Sequence, residues 1–460
     1  MSISVPSEIF RAYDIRGVVE TTLTPEVIYL IGLSIGSEAI DRGYSSIIVA
    51  RDGRVSGPQL MQSLIQGLNE SGCDVIDLGC APTPLLYFAT FKLASQSGVM
   101  LTGSHNPPNY NGLKIVLGGE TLSGQSIWQL YQRIQKQDFH RRDNGGYQQL
   151  SIIDDYIAEL TQGLSLQRRL KIVVDCGNGI AGAVAPQLFR QLNCDVTELY
   201  CEVDGSFPNH HPDPSDPSNL QDLIKAVKAV NADVGLAFDG DGDRIGVVTN
   251  KGEIIWPDRQ MMLYAIDVLT HHAGATILYD VKCSNQLADV IREYQGQALM
   301  WKTGHSFIKS KMRETAALLA GEMSGHIFFK DRWYGFDDAL YCAARLLEIL
   351  SKQNKTSSEI FSSLPNAVNT PELKMAISDD KKFDFIKRLV ENANFVGGTI
   401  STLDGLRVDY KECWGLIRPS NTTPSLVMRF EGQNSMALQR IQDLFRQQLL
   451  AIDKSLLLPF

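Results

Sequence analysis

Long apolar runs are missing from this sequence. No stretch approaches the roughly 18 residues that cross a bilayer, and the N-terminal MSISVPSEIF has no basic region followed by an apolar one. Membrane insertion and export are therefore not expected. Positive charge is also in short supply: 43 lysines and arginines against 52 aspartates and glutamates leave a net charge of −9, which repels nucleic acid and anionic membranes. An anionic ligand must then be held by cations gathered locally. Eight cysteines in 460 residues form no CxxC pair and no regular framework, which fits a reduced, cytoplasmic protein; Cys283 and Cys413, near polar motifs, read as buried or incidental thiols. Two catalytic signatures are missing where they would matter: no G-x-S-x-G elbow surrounds Ser104, and no G-x-x-x-x-G-K-[ST] phosphate loop occurs.

The length, at about 150 residues per domain, suggests roughly three domains, and 44% hydrophobic with 21% charged residues is ordinary globular composition. Short apolar runs ending in Gly, Asp or Ser come in pairs. Residues 46–50 lead into Arg51-Asp-Gly-Arg54, and 98–101 into Thr102-Gly-Ser-His-Asn-Pro-Pro108. Residues 171–174 lead into Asp175-Cys-Gly-Asn-Gly179, and 234–238 into Asp239-Gly-Asp-Gly-Asp-Arg244. Residues 276–279 lead into Asp280-Val-Lys-Cys-Ser-Asn285, and 317–320 into Gly321-Glu-Met-Ser-Gly-His326. Without alternation, such runs predict strands buried on both faces of mostly parallel sheets. Helical patterns lie between them; residues 59–71 place Leu60, Leu64, Ile65 and Leu68 on one face, with Gly72 as a stop. The pattern predicts three similar α/β units with polar loops at strand ends. After Pro365 it changes to a helix over 383–390, strands over 405–410, 413–417 and 426–430, and a last helix over 436–450, a smaller α+β domain. The boundaries read as 1–150, 151–252, 253–365 and 366–460.

Four polar loops carry chemistry. Asp239, Asp241 and Asp243 alternate with glycines, so a short turn can aim three carboxylates at one hard cation; a solvated Asp/Gly turn is the alternative. An EF-hand does not fit, since its twelfth position would be Asn250. Ser104, on a loop stiffened by Pro107 and Pro108, can act as nucleophile or phosphate carrier, although such loops are also common turns. Glu322 and Ser324, two residues apart, can grip adjacent sugar hydroxyls, or simply cap a connection; His326 reads as a satisfied structural histidine. Arg418-Pro-Ser-Asn-Thr-Thr-Pro424 offers a guanidinium, hydroxyls and an amide to a phosphate, with an ordinary turn as the alternative.

Together these loops, with Phe10-Arg-Ala-Tyr-Asp-Ile-Arg-Gly17 and Lys302-Thr-Gly-His-Ser306, resemble the α-D-phosphohexomutase superfamily, most closely its bacterial phosphomannomutase/phosphoglucomutase branch. The resemblance covers essentially the whole chain. It implies four domains around a central cleft and Ser104 as a phosphoserine. It also implies Mg²⁺ held by Asp239, Asp241, Asp243 and a Ser104 phosphate oxygen, with Arg16, Lys114 and Arg244 offsetting the charge. The implied reaction interconverts hexose 1- and 6-phosphates through a bound hexose 1,6-bisphosphate, which also serves as activator.

Glu322 and Ser324 would then grip O3 and O4 in either orientation, while Arg418, Ser420, Asn421 and Thr422 cradle the unreacting phosphate. Arg16, Lys114 and His305 match positions around the reacting centre, with Lys114 or His305 the easier proton carrier. Tyr13 and Lys282 match the cleft lining. Met323, where phosphoglucosamine mutases carry Gln, favours mannose and glucose phosphates. Gly103, where Ala is common in the family, reads as leaving the loop accessible but less restrained. His210 and His211 receive no role. The expected partner is a small phosphosugar, with no nucleic acid or membrane, and the expected state a monomer. The alternatives are a phosphoglucosamine mutase, a haloacid-dehalogenase-like phosphatase using an Asp of the 239–243 loop, and a silent sugar-phosphate sensor.

Overall fold

Ser46–Arg51 and Gly98–Leu101 lie side by side as parallel strands, as do Lys171–Asp175 with Val234–Phe238 and Thr276–Asp280 with Leu319–Gly321. Each pair of apolar runs is thus the centre of its own sheet in the computed structural model, which describes residues 4–142, 145–421 and 423–460. The last of these strands starts at Leu319 rather than Ala317. Ala316 caps the preceding helix, His305–Thr315, in the left-handed conformation (φ 53°), so the chain is still turning there.

The three sheets share one topology. A second parallel strand flanks the first of each pair (Asp74–Cys80, Asp195–Leu199, Gln297–Trp301), and an antiparallel strand follows the other (Tyr110–Leu117, Ile245–Thr249, Ile327–Phe329). Helices flank the sheets; Gly57–Glu70 turns Leu60, Leu64 and Leu68 inward, with Ile65 half-buried at the margin of its apolar face. The loops at 102–109, 239–244 and 322–326 therefore occupy equivalent places, between a buried parallel strand and its antiparallel successor. They sit at the carboxyl ends of the parallel strands, where open α/β sheets bind ligands.

The C-terminal unit is built on hairpins instead. Val368–Asn369, Ser425–Gly432, Cys413–Pro419, Leu406–Asp409 and Thr399–Ser401 form an antiparallel sheet, to which Leu373–Ala376 adds beside Ser425–Gly432. Helices Asp379–Asn392 and Ser435–Ile452 pack on it, and their apolar residues, from Phe385 to Leu449, join a separate core. Another core, by contrast, runs through the first three units from Ile48 to Phe361. An aromatic junction reinforces it: Phe88 stacks on Trp333 (centroids 5.9 Å apart), meets Tyr156 edge-on, and the Tyr156 hydroxyl donates to Asp338 at 2.9 Å. The fourth unit meets the third mainly through hydrogen-bonded charges, Arg407 to Val281 O, Arg429 to Asp258 and Ser284 to Glu431.

Candidate active site

Ser104 sits in a loop with no regular hydrogen-bond ladder, and its backbone takes a left-handed conformation (φ 48°) uncommon for a residue with a Cβ. That conformation aims the hydroxyl across the boundary between the first two units. Its Oγ donates to Asp239 Oδ2 at 2.9 Å, and His105 Nδ1 lies 3.2 Å away. Burial, then Arg244 and Arg16, keep the His105 imidazole well below the usual histidine range.

Asp239 directly follows the buried strand Val234–Phe238, and its Oδ1 accepts the backbone N–H groups of Asp243 and Arg244, each at 3.1 Å. The loop curls around that carboxylate, and ligand atoms of Asp239, Asp241 and Asp243 come within 4.8 Å of one another, all fully buried. Burial, followed by the neighbouring Asp241 and Asp243, pushes the Asp239 carboxyl well above its ordinary value. Lys114, from strand Tyr110–Leu117, puts its Nζ 2.6 Å from Asp241 Oδ2 and also bonds Asp243. Against the cost of burial, those two carboxylates hold the Lys114 ammonium charged, well above the usual lysine range. One oxygen each of Asp241 and Asp243 remains buried without a hydrogen-bond partner. Hard oxygen donors with orphaned lone pairs in one cluster fit a divalent cation of the Mg²⁺ type.

The other predicted residues surround a cleft of about 710 Å³ in front of this cluster. Tyr13, Arg16, Ser104, Lys114, Arg244, Lys282, His305, Glu322, Ser324, Arg418, Ser420 and Asn421 all line it, so loops from four units converge; Thr422 lies outside the described residues. Arg244 stands 3.9 Å from Asp239, whereas Arg16 bonds Asp14 and Asn106 rather than the triad, so it serves the Ser104 loop and not the charge balance of the aspartates. Glu322 accepts the Gly304 N–H at 2.5 Å, and burial raises its carboxyl. Lys282 pairs with Glu372 at 3.0 Å, and Arg418, which lines the cleft, uses Nε on Asp404 at 3.0 Å while its buried Nη2 has no hydrogen-bond partner among the described residues. An unsatisfied guanidinium nitrogen is a costly feature that an anionic ligand would relieve.

His326 is not the satisfied structural residue expected. It lines the cleft, its Nε2 accepts Arg244 Nε–H at 3.0 Å, and its Nδ1 lies 3.1 Å from Asp337 and 3.5 Å from Asp243. Its apolar neighbours in sequence, Ile327 to Phe329, point into the sheet and say nothing about where the imidazole goes. Its ring stacks at 5.7 Å on His305, whose buried nitrogens have no hydrogen-bond partner among the described residues, Nδ1 lying 3.9 Å from Asp337. Asp337, the shared neighbour of both rings, had no motif to announce it. Nor is the Ser104 loop loosely restrained at Gly103: a Cβ there would lie 2.4 Å from the Arg54 guanidinium, which packs directly against the loop. His210 pairs with Asp175 in the second unit.

Models of the phosphoglucomutase/phosphomannomutase alpha/beta/alpha domains I, II and III match residues 7–141, 154–252 and 256–368, and that of the C-terminal domain matches 372–448. The chain belongs to this family. It is 56% identical over 457 residues to a phosphomannomutase/phosphoglucomutase of Pseudomonas aeruginosa, covering 99% of this chain and 98% of that one. A phosphoglucomutase of Neisseria meningitidis is 51% identical over 96% of this chain and 97% of its own. The crystal structure of a phosphoglucomutase/phosphomannomutase family protein from Burkholderia thailandensis superposes with a TM-score of 0.95 at 50% identity, covering 99% of this chain and all of that one. The family generally uses a metal ion, with which the buried aspartate cluster is compatible.

Proposed function

We propose that Ser104 carries the phosphate in the interconversion of hexose 1-phosphates and hexose 6-phosphates, for mannose and glucose alike. The chain is a hexose phosphate mutase, an isomerase of the phosphomannomutase/phosphoglucomutase type, in keeping with relatives at 51% and 56% identity. The observation that carries the assignment is the Ser104 hydroxyl on Asp239 at the back of a cation-lined cleft.

In the first half-reaction, O1 or O6 of the sugar phosphate attacks the phosphorus of phosphoserine 104. The new P–O bond forms as the P–Oγ bond breaks, and Oγ leaves with the bonding pair and is reprotonated. A hexose 1,6-bisphosphate results, turns end over end in the cleft, and returns its other phosphate to Ser104. A Mg²⁺ held by Asp239, Asp241, Asp243 and a phosphoserine oxygen would stabilise charge on the transferring group. Lys114, held charged by two carboxylates, supports that charge and is a poor base. His326 is the better candidate to take the hydroxyl proton. With Nδ1–H facing Asp337, its Nε2 presents a lone pair, now engaged by Arg244, beside the reacting centre. His305 stands behind it against Tyr13.

Arg418, Ser420 and Asn421 would cradle the unreacting phosphate, and Lys282 and Tyr13 would border it. Glu322 and Ser324 would hold O3 and O4 in both orientations. Met323 packs against the core shared by the first three units and brings no polar group to C2, which fits acceptance of both sugars over glucosamine phosphate. We divide the chain at 1–150, 151–252, 253–365 and 366–460, and infer a monomer working in the cytoplasm; no described helix is long and apolar enough to cross a membrane. Coupled assays with mannose, glucose and glucosamine 1-phosphates, each with a bisphosphate activator, test this reading. Turnover of the first two, with the third much slower, is expected; preference for the third would support a phosphoglucosamine mutase, and no turnover a sugar-phosphate sensor.

A further inference from the structure

Arg54 is 1% exposed and directs four hydrogen bonds from its two terminal nitrogens to one short stretch of chain, residues 104–110, and a fifth to Asp52. Nη2 donates to the carbonyls of Ser104 (2.8 Å) and Asn106 (2.6 Å), and Nη1 to those of Pro107 (2.5 Å) and Tyr110 (3.0 Å). Nε donates to Asp52 Oδ2 at 3.1 Å. Asp52 completes the grip from the other side: Oδ2 also accepts Thr102 Oγ1–H at 2.7 Å and Gly103 N–H at 3.1 Å, and Thr102 Oγ1 accepts the Ser104 N–H at 2.8 Å. Backbone groups on both sides of Ser104 are thus held by one ion pair, in a loop that has no ladder of its own.

The packing leaves the pair little room to shift. A Cβ on Gly103 would meet the Arg54 Cζ and Nε at 2.4 Å, and one on Gly240 would meet the Ser104 carbonyl oxygen at 2.3 Å. The Phe207 ring of the second unit lies 5.2 Å from the guanidinium. Because Asp52 balances Arg54, the clamp adds no net charge beside the Ser104 phosphate. Arg54 stands behind the loop, with its donors turned to carbonyls rather than to the cleft.

We propose that Arg54 is a positioning residue for phosphoryl transfer, holding Ser104 in its left-handed conformation so that Oγ keeps its place against the aspartate cluster through both half-reactions. This rests on Ser104 as the phosphate carrier. A single donor and acceptor position must serve O1 in one half-reaction and O6 in the other, and a loop free to drift would misplace both. A planar fork with five donors suits the task; an ammonium carries the same charge but cannot bridge four carbonyls.

The test compares wild type with Arg54→Lys, and with Asp52→Asn, which keeps the shape of the carboxylate but weakens its hold on the guanidinium. Three quantities are read per folded enzyme: KM, kcat, and the single-turnover rate of Ser104 phosphorylation by glucose 1,6-bisphosphate. With the cradle and sugar grip untouched, KM should stay within about twofold while kcat and the phosphorylation rate fall together by about 10- to 100-fold, the cost of a reacting atom displaced by an ångström or less. A general loss of structure would instead lower the folded fraction and raise KM. If Arg54→Lys does not fold, Asp52→Asn supplies the comparison. Wild-type kcat and phosphorylation rate in the folded variants, or losses confined to KM, overturn the proposal. Absence of phosphate on Ser104 in the wild type would instead overturn the carrier assignment on which it rests.

Discussion

Ser104 and Asp239 belong to different units of the fold and nonetheless share a hydrogen bond of 2.9 Å. They stand at equivalent places in two copies of the same topology, each at the end of a buried parallel strand. One copy contributes the proposed phosphate carrier and the other the carboxylates that face it. Replacing Ser104 by Ala should lower turnover by on the order of 10³-fold or more, leaving slow transfer through water or bound bisphosphate. Wild-type rates in a coupled assay would remove Ser104 from the mechanism.

Metal dependence follows from the orphaned oxygens of Asp241 and Asp243. Chelation should abolish turnover and Mg²⁺ should restore it. Mn²⁺ binding, followed by paramagnetic resonance, should be lost in Asp241→Asn. Activity that survives exhaustive chelation would contradict the site.

Arg418 lies in the unit with its own core, far in sequence from Ser104, with one nitrogen unspent. Arg418→Ala should raise KM by roughly 10- to 100-fold with a smaller effect on kcat, as expected for loss of a charge-assisted phosphate contact. Steady-state kinetics at saturating substrate decide this, and an unchanged KM would exclude the cradle.

The fourth unit is the one expected to move. Its core is separate, and it meets the third through a small apolar contact of Val281, Trp414 and Leu416 together with hydrogen-bonded charges. Substrate should draw it over the cleft and reduce the radius of gyration in solution scattering. Superimposable profiles with and without substrate would argue against closure.

Asp338 gives stability a pH dependence at the aromatic junction. Burial, against hydrogen bonds from the Tyr341 N–H, Tyr156 and Trp333, pushes its carboxyl up to about 7. The unfolded carboxyl titrates near 3.9, so between roughly pH 4 and pH 7 the folded state holds a proton the unfolded state has lost. Its favourable contribution is therefore fully present below about pH 4 and is lost as pH rises through about 7, by up to about 1.4 kcal/mol per pH unit. Asp338→Asn should flatten this part of the profile in urea unfolding at pH 5 and pH 7.5; an unchanged slope would place the proton elsewhere.

Much of this architecture was legible in the sequence because strands buried on both faces are continuous apolar runs, and the polar loops that end them stand out. Ser104 and the aspartate triad each belong to such a loop, and Arg418 stands at the end of strand Cys413–Pro419 just before one. What lay hidden depends on distances between units. His326 is the last residue of its motif loop and precedes an apolar strand, so its sequence neighbourhood misrepresents the charged one around its ring. Arg54 was visible only as part of a polar turn, since its partners are backbone carbonyls some fifty residues away, which no side-chain pattern records. In the sequence, Lys114 is placed beside the aspartates by the family resemblance alone; it sits within an apolar strand, and only folding sets it between Asp241 and Asp243.

Transfer of radiolabelled phosphate from hexose 1,6-bisphosphate to the enzyme tests the central claim most directly. The account predicts a hydroxylamine-resistant label on the peptide containing Ser104, which unlabelled glucose 1-phosphate or mannose 1-phosphate chases into sugar phosphate. A hydroxylamine-labile label mapping to the 239–243 loop, or label released as inorganic phosphate without isomerisation, would contradict it.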